Sequence, residues 1–255
     1  MGITFEFSEK AVVVTGASSG IGKAVATAFV RAGAKVTILS DTSDIGDVAQ
    51  QLGPNVGAIQ CDISDRNQVI EALKHLEQID ILINNAGIEL PTPLQGEGSK
   101  GQSDFNRVLA TNVSGTQNVT QALINRIPDG GRILVTASIW SRTAVPGFSA
   151  YVASKHALLG LVRTWAQELG ARQIRVNAVC PGWVKTGPAM KSLGELASTS
   201  GKEVDELAQE LSDAQALPGL MEPEDIAQTY LFLASDGAAN ITGQAINIDR
   251  GEVMS

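Results

Sequence analysis

Val12-Val13-Val14-Thr15-Gly16-Ala17-Ser18-Ser19-Gly20-Ile21-Gly22 runs from a β-branched stretch through three glycines into a segment of helical period, and its reading decides the fold. A backbone that must approach a phosphate closely needs residues without a Cβ. The helix after the turn presents free N–H groups and the positive end of its dipole to the anion. The stretch therefore predicts a strand, a tight turn and a helix at the head of an α/β unit, with Gly16, Ser18, Ser19, Gly20, Ile21 and Gly22 as candidate anion-binding residues. The spacing is Gly-x-x-x-Gly-x-Gly, distinct from the Gly-x-Gly-x-x-Gly dinucleotide fingerprint. A plain tight turn is the alternative for the glycines alone.

Outward from this turn, short β-branched runs alternate with longer helical stretches, the pattern of βαβ units wound about a parallel sheet. Strands are expected at Ala11–Val14, Lys35–Leu39, Gly57–Cys61, Ile79–Ile83, Arg132–Thr136, Arg175–Val179 and Ala245–Ile248. Helices are expected near Ile21–Ala32, Asp44–Leu52, Arg66–Glu77, Phe105–Asn125, Ala150–Gly170 and Glu224–Ala234. The expected fold is a single α/β domain, a doubly wound seven-stranded parallel sheet with helices on both faces. Two segments break the rhythm. From Ile88 to Ser103 the chain reads as a loop, mobile around Gly96–Gly101. From Thr186 to Pro223 it carries a strand-free insertion with short amphipathic pieces such as Val204–Leu217, placed beyond a strand end to act as a lid. A surface excursion without a gating role is the alternative.

The chain has 255 residues and is 44% hydrophobic, enough apolar material for a sheet buried on both faces. Its net charge is −8, with Lys and Arg scattered, so the basic footprint of a nucleic-acid binder is missing. The first ten residues lack the basic-then-apolar pattern of a secretory signal, and no apolar run reaches membrane-spanning length; a cytoplasmic protein with no membrane association is expected. Cys61 and Cys180 each end an apolar run without metal-ligand spacing, which predicts two buried thiols and no metal site.

Tyr151-Val152-Ala153-Ser154-Lys155 adds chemistry to the turn. Positions i and i+4 share a helix face, so the phenol and the ammonium point into one space. A free phenol titrates at about 10, and a cation a few ångströms away lowers that value. Ser138 follows the fifth strand, well placed to hydrogen-bond a substrate oxygen that Tyr151 protonates or deprotonates. Each residue also has an ordinary reading, as a core Tyr, a solvated Lys and a loop-capping Ser. Their joint occurrence behind the glycine turn favours the chemical one.

The glycine turn, Asn84-Asn85-Ala86-Gly87, Ser138, Tyr151-x-x-x-Lys155 and Pro181-Gly182, in this order over nearly the whole chain, resemble the short-chain dehydrogenase/reductase family in its single-domain form. The resemblance implies that Lys155 also binds the nicotinamide ribose and that Asn112 completes the catalytic group by holding a water that links Lys155 to solvent. It implies that Asp62 and Ile63 contact the adenine, that Asn84, Ala86 and Gly87 line the ribose and nicotinamide side, and that Pro181, Gly182 and Thr186 steer the carboxamide. Asp62 has a second reading, because its segment precedes a helix and can cap it. Relatives are commonly tetramers, so a homo-oligomer is expected on that analogy.

At the end of the second strand stand Ser40 and Asp41, where the family commonly carries a ribose-binding acid. A carboxylate there accepts from a 2′-hydroxyl and repels a 2′-phosphate, by about 4 kcal/mol for unit charges ~4 Å apart at an effective dielectric near 20. No Arg lies in the glycine turn or just after Asp41, so NAD is expected in preference to NADP. Glu89, Ile139, Trp140, Phe148 and Trp183 adjoin motif residues and are the candidate substrate pocket, with Trp140 and Trp183 as flat walls and Glu89 as a hydroxyl acceptor; core packing and a solvated rim are the alternatives. The expectation is an NAD-dependent alcohol dehydrogenase acting on a small polar or cyclic alcohol or ketone, with a polyol, sugar or diol favoured. The alternatives are an NADPH-driven carbonyl or 3-ketoacyl-type reductase, and a protein that binds NAD without turnover.

Overall fold

Period-two alternation along each strand sends neighbouring side chains to opposite faces of a sheet, and both faces here are apolar. The computed structural model describes residues 4–95 and 98–254. Its strands are β1 (Ala11–Thr15), β2 (Lys35–Ser40), β3 (Gly57–Gln60), β4 (Ile81–Asn84), β5 (Arg132–Thr136), β6 (Arg175–Pro181) and β7 (Ala245–Ile248). They form one sheet in the order β3-β2-β1-β4-β5-β6-β7, and every pairing is parallel.

The helices divide between the two faces. Val12, Val14, Ile38, Ile81 and Ile83 pack against α1 (Gly20–Arg31), α2 (Ile45–Leu52) and α9 (Pro223–Ala234). Val13, Leu39, Leu82, Ile133 and Val135 face α3 (Arg66–Leu73), α5 (Thr116–Leu123) and α6 (Ser149–Leu169). Each fully buried Val, Leu or Ile contributes about 1.5–3 kcal/mol of apolar transfer, which is why strands buried on both faces read as continuous aliphatic runs. The strand order reverses direction between β1 and β4, and in such sheets the crevice beyond the carboxyl ends at that point takes the ligand.

Most boundaries move by one or two residues and α3 ends at Leu73 instead of Glu77; four further differences change what an element does. Ile79 and Asp80 precede β4; the Asp80 carboxylate instead accepts from the Ala11 backbone N–H at 2.9 Å and from Lys10 Nζ at 3.3 Å, clamping the start of β1. The segment read as a loop up to Ser103 becomes helical at Gly98, beginning α4 (Gly98–Leu109); Gly96 and Glu97 lie outside the described residues. The helix does not run evenly to Asn125, because Ala110–Gly115 forms a π-helical turn between α4 and α5. The insertion holds two helices, α7 (Gly187–Ser200) and α8 (Val204–Asp213), more regular than short pieces. Thr186 caps α7, its hydroxyl accepting from Ala189 N–H, and Gly201 ends it at φ +70°. Among the described residues no helix is long and apolar enough to cross a membrane.

Candidate active site

The end of β1 is tied to the end of β4 by one hydroxyl. Thr15 Oγ1 accepts from the backbone N–H groups of Asn85 and Ala86, both at 3.0 Å. Asn85 Nδ2 returns hydrogen bonds to the carbonyls of Thr15 at 3.1 Å and Gly16 at 3.0 Å. The glycine turn and the Asn84–Gly87 segment therefore form one rigid ledge. Gly16 sits at φ +64°, and a Cβ there would lie 2.6 Å from Ala86 Cα, so only glycine fits. Gly22 faces inward instead, against the Gly16 carbonyl and Asn85, where any side chain would collide.

Above the ledge lies a cavity of about 410 Å³. Its wall includes Gly16, Ser18, Ser19, Gly20 and Ile21 from the turn, Ser40 and Asp41 beyond β2, Asp62 and Ile63 beyond β3, and Ala86 and Gly87 beyond β4. Tyr151, Lys155, Ser138, Pro181, Gly182 and Thr186 complete it on the far side. The glycine turn at the amino terminus of α1, in one cavity with Lys155, fits an extended dinucleotide. Ser18 Oγ and Ser40 Oγ are 3.1 Å apart, and Ser40 also accepts from Thr42 N–H, so the buried serine fastens β2 to the glycine turn while Asp41 stays exposed at the rim. Asp62 accepts from Ser64 N–H and Oγ, at 2.9 and 2.7 Å. The helix cap is Asp65, which accepts from Asn67 and Gln68 N–H, so pocket wall and cap are divided between two aspartates of one segment.

Four expected residues lie outside the wall: Asn84, Gly22, Phe148 and Asn112. Asn84, the last residue of β4, turns its amide to Thr120 Oγ1 at 2.9 Å on α5, and Asn85 lines the cavity in its place. Gly22 serves helix-to-turn packing and is not in the wall. Phe148 packs on Trp140 with centroids 5.8 Å apart, behind the wall, because a bridge between Thr92 and Phe148 draws its backbone away. Glu89, Ile139, Trp140 and Trp183 do line the cavity, joined by Arg107, Thr111, Thr136 and Val184, which no sequence motif marked.

The reacting end is built on α6. Lys155 is buried, and its Nζ donates to the Thr136 carbonyl at 2.8 Å while lying 5.3 Å from the centre of the Tyr151 ring. Burial brings the ammonium down to about 8, against the opposing pull of Glu89 and Cys180. Burial pushes the Tyr151 phenol well above its ordinary value and the Glu89 charge adds to this, while a hydrogen bond from Ser138 acts in the opposite sense. Desolvation, not the neighbouring ammonium, thus governs the phenol in the protein itself. Ser138 lies two residues beyond β5 and caps the 3-10 turn Ile139–Ser141, its hydroxyl accepting from Trp140 N–H at 3.2 Å, within hydrogen-bonding reach of Tyr151.

Asn112 lies in the π-helical turn and outside the cavity wall. Its Oδ1 accepts from Ile88 N–H at 2.8 Å; its Nδ2 donates to Ile88 carbonyl at 2.9 Å and to Ser154 Oγ at 3.0 Å. Ser154 Oγ in turn donates to the Tyr151 carbonyl at 2.7 Å. The amide thereby braces the loop after β4 against α6. The two cysteines are buried free thiols, and burial pushes Cys61 up to about 11.

Trp140 stands edge-on to both Tyr151 and Trp183, at 5.8 Å and interplanar angles of 89° and 84°. Leu193 and Leu196 of α7 and Leu207 and Leu211 of α8 pack in one apolar cluster with this aromatic group, which sets the insertion against the Tyr151 end of the cavity.

The model of the family described as Enoyl-(Acyl carrier protein) reductase matches residues 16–252. A 3-oxoacyl-[acyl-carrier-protein] reductase of Thermotoga maritima is 35% identical, over 96% of this chain and 98% of its own. A solved putative NAD(P) dependent gluconate 5-dehydrogenase from Beutenbergia cavernae, with bound NADP at low occupancy, is 32% identical with a TM-score of 0.85, covering 98% of this chain and 99% of its own. The ligand-free aldohexose dehydrogenase of Thermoplasma acidophilum is 29% identical with a TM-score of 0.84, covering 96% of this chain and 94% of its own. Matched over almost its full length by such relatives, and carrying the glycine turn and the Ser, Tyr and Lys in one cavity, the chain is an NAD(P)-dependent oxidoreductase of the short-chain dehydrogenase/reductase family.

Proposed function

We propose that the protein interconverts a secondary alcohol and a ketone on a small polar or cyclic substrate, with a polyol, sugar or diol favoured and NAD as the preferred cofactor. The observation that carries this reading is the opening of Ser138, Tyr151 and Lys155 onto the same cavity as the glycine turn. The nicotinamide, when bound, gives or takes the hydride. Ser138 holds the substrate oxygen, and Tyr151 passes the proton to or from it. With its phenol raised by burial, Tyr151 is protonated at neutral pH and poised as a donor, which suits ketone reduction; oxidation requires its proton to leave first. Lys155 fixes the geometry behind the phenol through Thr136. The glycine turn and Asp62 would hold the dinucleotide, and Asp41 would take the adenosine ribose.

Tyr151→Phe removes the proton carrier without emptying the helix face. Turnover followed by NADH absorbance is expected to fall at least about 100-fold, the low end of a lost general acid, while cofactor affinity by fluorescence titration stays within about threefold. Unchanged turnover sinks the assignment. Absence of turnover with polyols, ketones and ketoacyl substrates alike supports instead a protein that binds the dinucleotide without chemistry.

NAD preference rests on Asp41 and on the cations of the wall, Arg107 and Lys155, neither of which belongs to the glycine turn or to the end of β2. Asp41→Arg is expected to move the NAD-to-NADP ratio of kcat/KM toward NADP by roughly 100-fold or more, the scale of one reversed charge near a phosphate. A ratio that does not move overturns the ribose assignment. The second reading is an NADPH-driven reductase of ketoacyl type, favoured by the 35% identity to a 3-oxoacyl-[acyl-carrier-protein] reductase and by Arg107 in the wall. We also propose a cytoplasmic homotetramer, an analogy to the family supported by β7 lying at a sheet edge.

A further inference from the structure

Glu89 lies two residues past the Asn84–Gly87 ledge and enters the reacting end of the cavity beside Tyr151, Trp140 and Trp183. Ser192 on α7 is 4% exposed and hydrogen-bonds the Glu89 carboxylate, held there by the fully buried Leu193 next to it. No salt bridge joins Glu89 to a cation among the described residues. Lys155 is within electrostatic range, but its Nζ is committed to the Thr136 carbonyl at 2.8 Å. Glu195, one turn beyond Ser192, adds negative potential from the same helix.

We propose that Glu89 is the specificity-determining residue of this cavity, accepting a hydroxyl of a neutral polyhydroxylated substrate and turning away substrates that bear a carboxylate. The inference rests on the alcohol-to-ketone reading of the site and narrows its substrate class. An ionised carboxylate only accepts hydrogen bonds and offers about four lone-pair positions; Ser192 uses one, leaving others for hydroxyl donors from the cavity. Hydrogen bonds to a charged acceptor are roughly twice as strong as neutral ones, so a hydroxyl set against Glu89 fixes the reacting carbon between Ser138 and Tyr151. A second anion meets repulsion from Glu89 and Glu195 in a partly dry cavity. Burial raises the Glu89 carboxyl, and the Ser192 hydrogen bond and the nearby Lys155 charge act in the opposite sense, in favour of the carboxylate.

Sorbitol and gluconate present nearly the same hydroxylated chain with and without a terminal carboxylate, which isolates charge. Cofactor-loaded enzyme is titrated with each, reading kcat/KM from NADH absorbance and, independently, binding from tryptophan emission of Trp140 and Trp183. Wild type is expected to favour sorbitol by about 100-fold, the scale of one screened unit-charge repulsion. Glu89→Gln, isosteric and uncharged, is expected to bring the two within a few-fold of one another. Ser192→Ala keeps the Glu89 carboxyl but removes one of the hydrogen bonds that favour its ionised form, and is expected to shrink the preference without abolishing it. Equal response of wild type to both compounds, a ratio unmoved by Glu89→Gln, loss of the preference in Ser192→Ala, or no saturable response to either compound overturns the proposal. Selective binding of sorbitol that depends on Glu89 but yields no turnover upholds the charge filter and sinks the polyol-oxidising reading.

Discussion

Lys155 shows how much a single buried charge governs here. Its ordinary value of 10.5 falls to about 8 because the ammonium is desolvated. A group depressed on folding binds fewer protons in the native state than in the unfolded one, between the two values. Stability therefore rises with pH across that window; the cost of the buried charge is fully present below about 8 and relieved above about 10.5. Lys155→Met removes the titrating group. The stability of wild type relative to this variant, from urea midpoints at a series of pH values, is expected to improve steadily from pH 8 to 10.5 and to be level below that range. A constant difference across the range contradicts burial as the cause. The i, i+4 spacing of Tyr151 and Lys155 was legible in the sequence, but the direction of the phenol was not, since desolvation depends on Trp140 and on a helix some forty residues away. The same blindness explains Asn84 and Asn85. Adjacent on a strand end, they point to opposite faces, and only the register of β4 says which one meets the glycine turn.

Among the elements, the π-helical turn at Ala110–Gly115 was not announced by composition. Such a turn adds a residue to the helix and re-aims the side chains beyond it; here it brings the Asn112 amide to both polar groups of Ile88. Asn112→Ala leaves the Ile88 N–H and carbonyl without that partner. Its expected cost is about 1–3 kcal/mol, read as a lower urea midpoint, because buried groups stripped of a hydrogen bond carry a full desolvation penalty. As a positioning residue it is expected to depress kcat more than cofactor affinity; an equal loss in both would reduce its role to general stability. The strands were the most readable elements, since β5 and β7 match their expected limits through simple β-branched runs. The start of α4 was not, because Gly98 and Gly101 argue locally against a helix that its packing on α6 sustains.

For the whole molecule, the glycine turn with alternating strands and helices was enough to anticipate a doubly wound sheet, while the insertion of α7 and α8 had no motif and is defined only by the aromatic group it packs against. In the sheet β4 joins beside β1, and each strand after it joins beside the one made before it, outward to β7. The loop after β6 leans on the segment beyond β7: Gly182 N–H bonds to the Ile248 carbonyl at 2.9 Å, and its Cα packs so tightly on Asp249 that a methyl group would not fit. A side chain placed at Gly182 is therefore expected to prise that segment away and deform the far wall of the cavity, while the glycine turn, anchored through Thr15 and Asn85, keeps its shape.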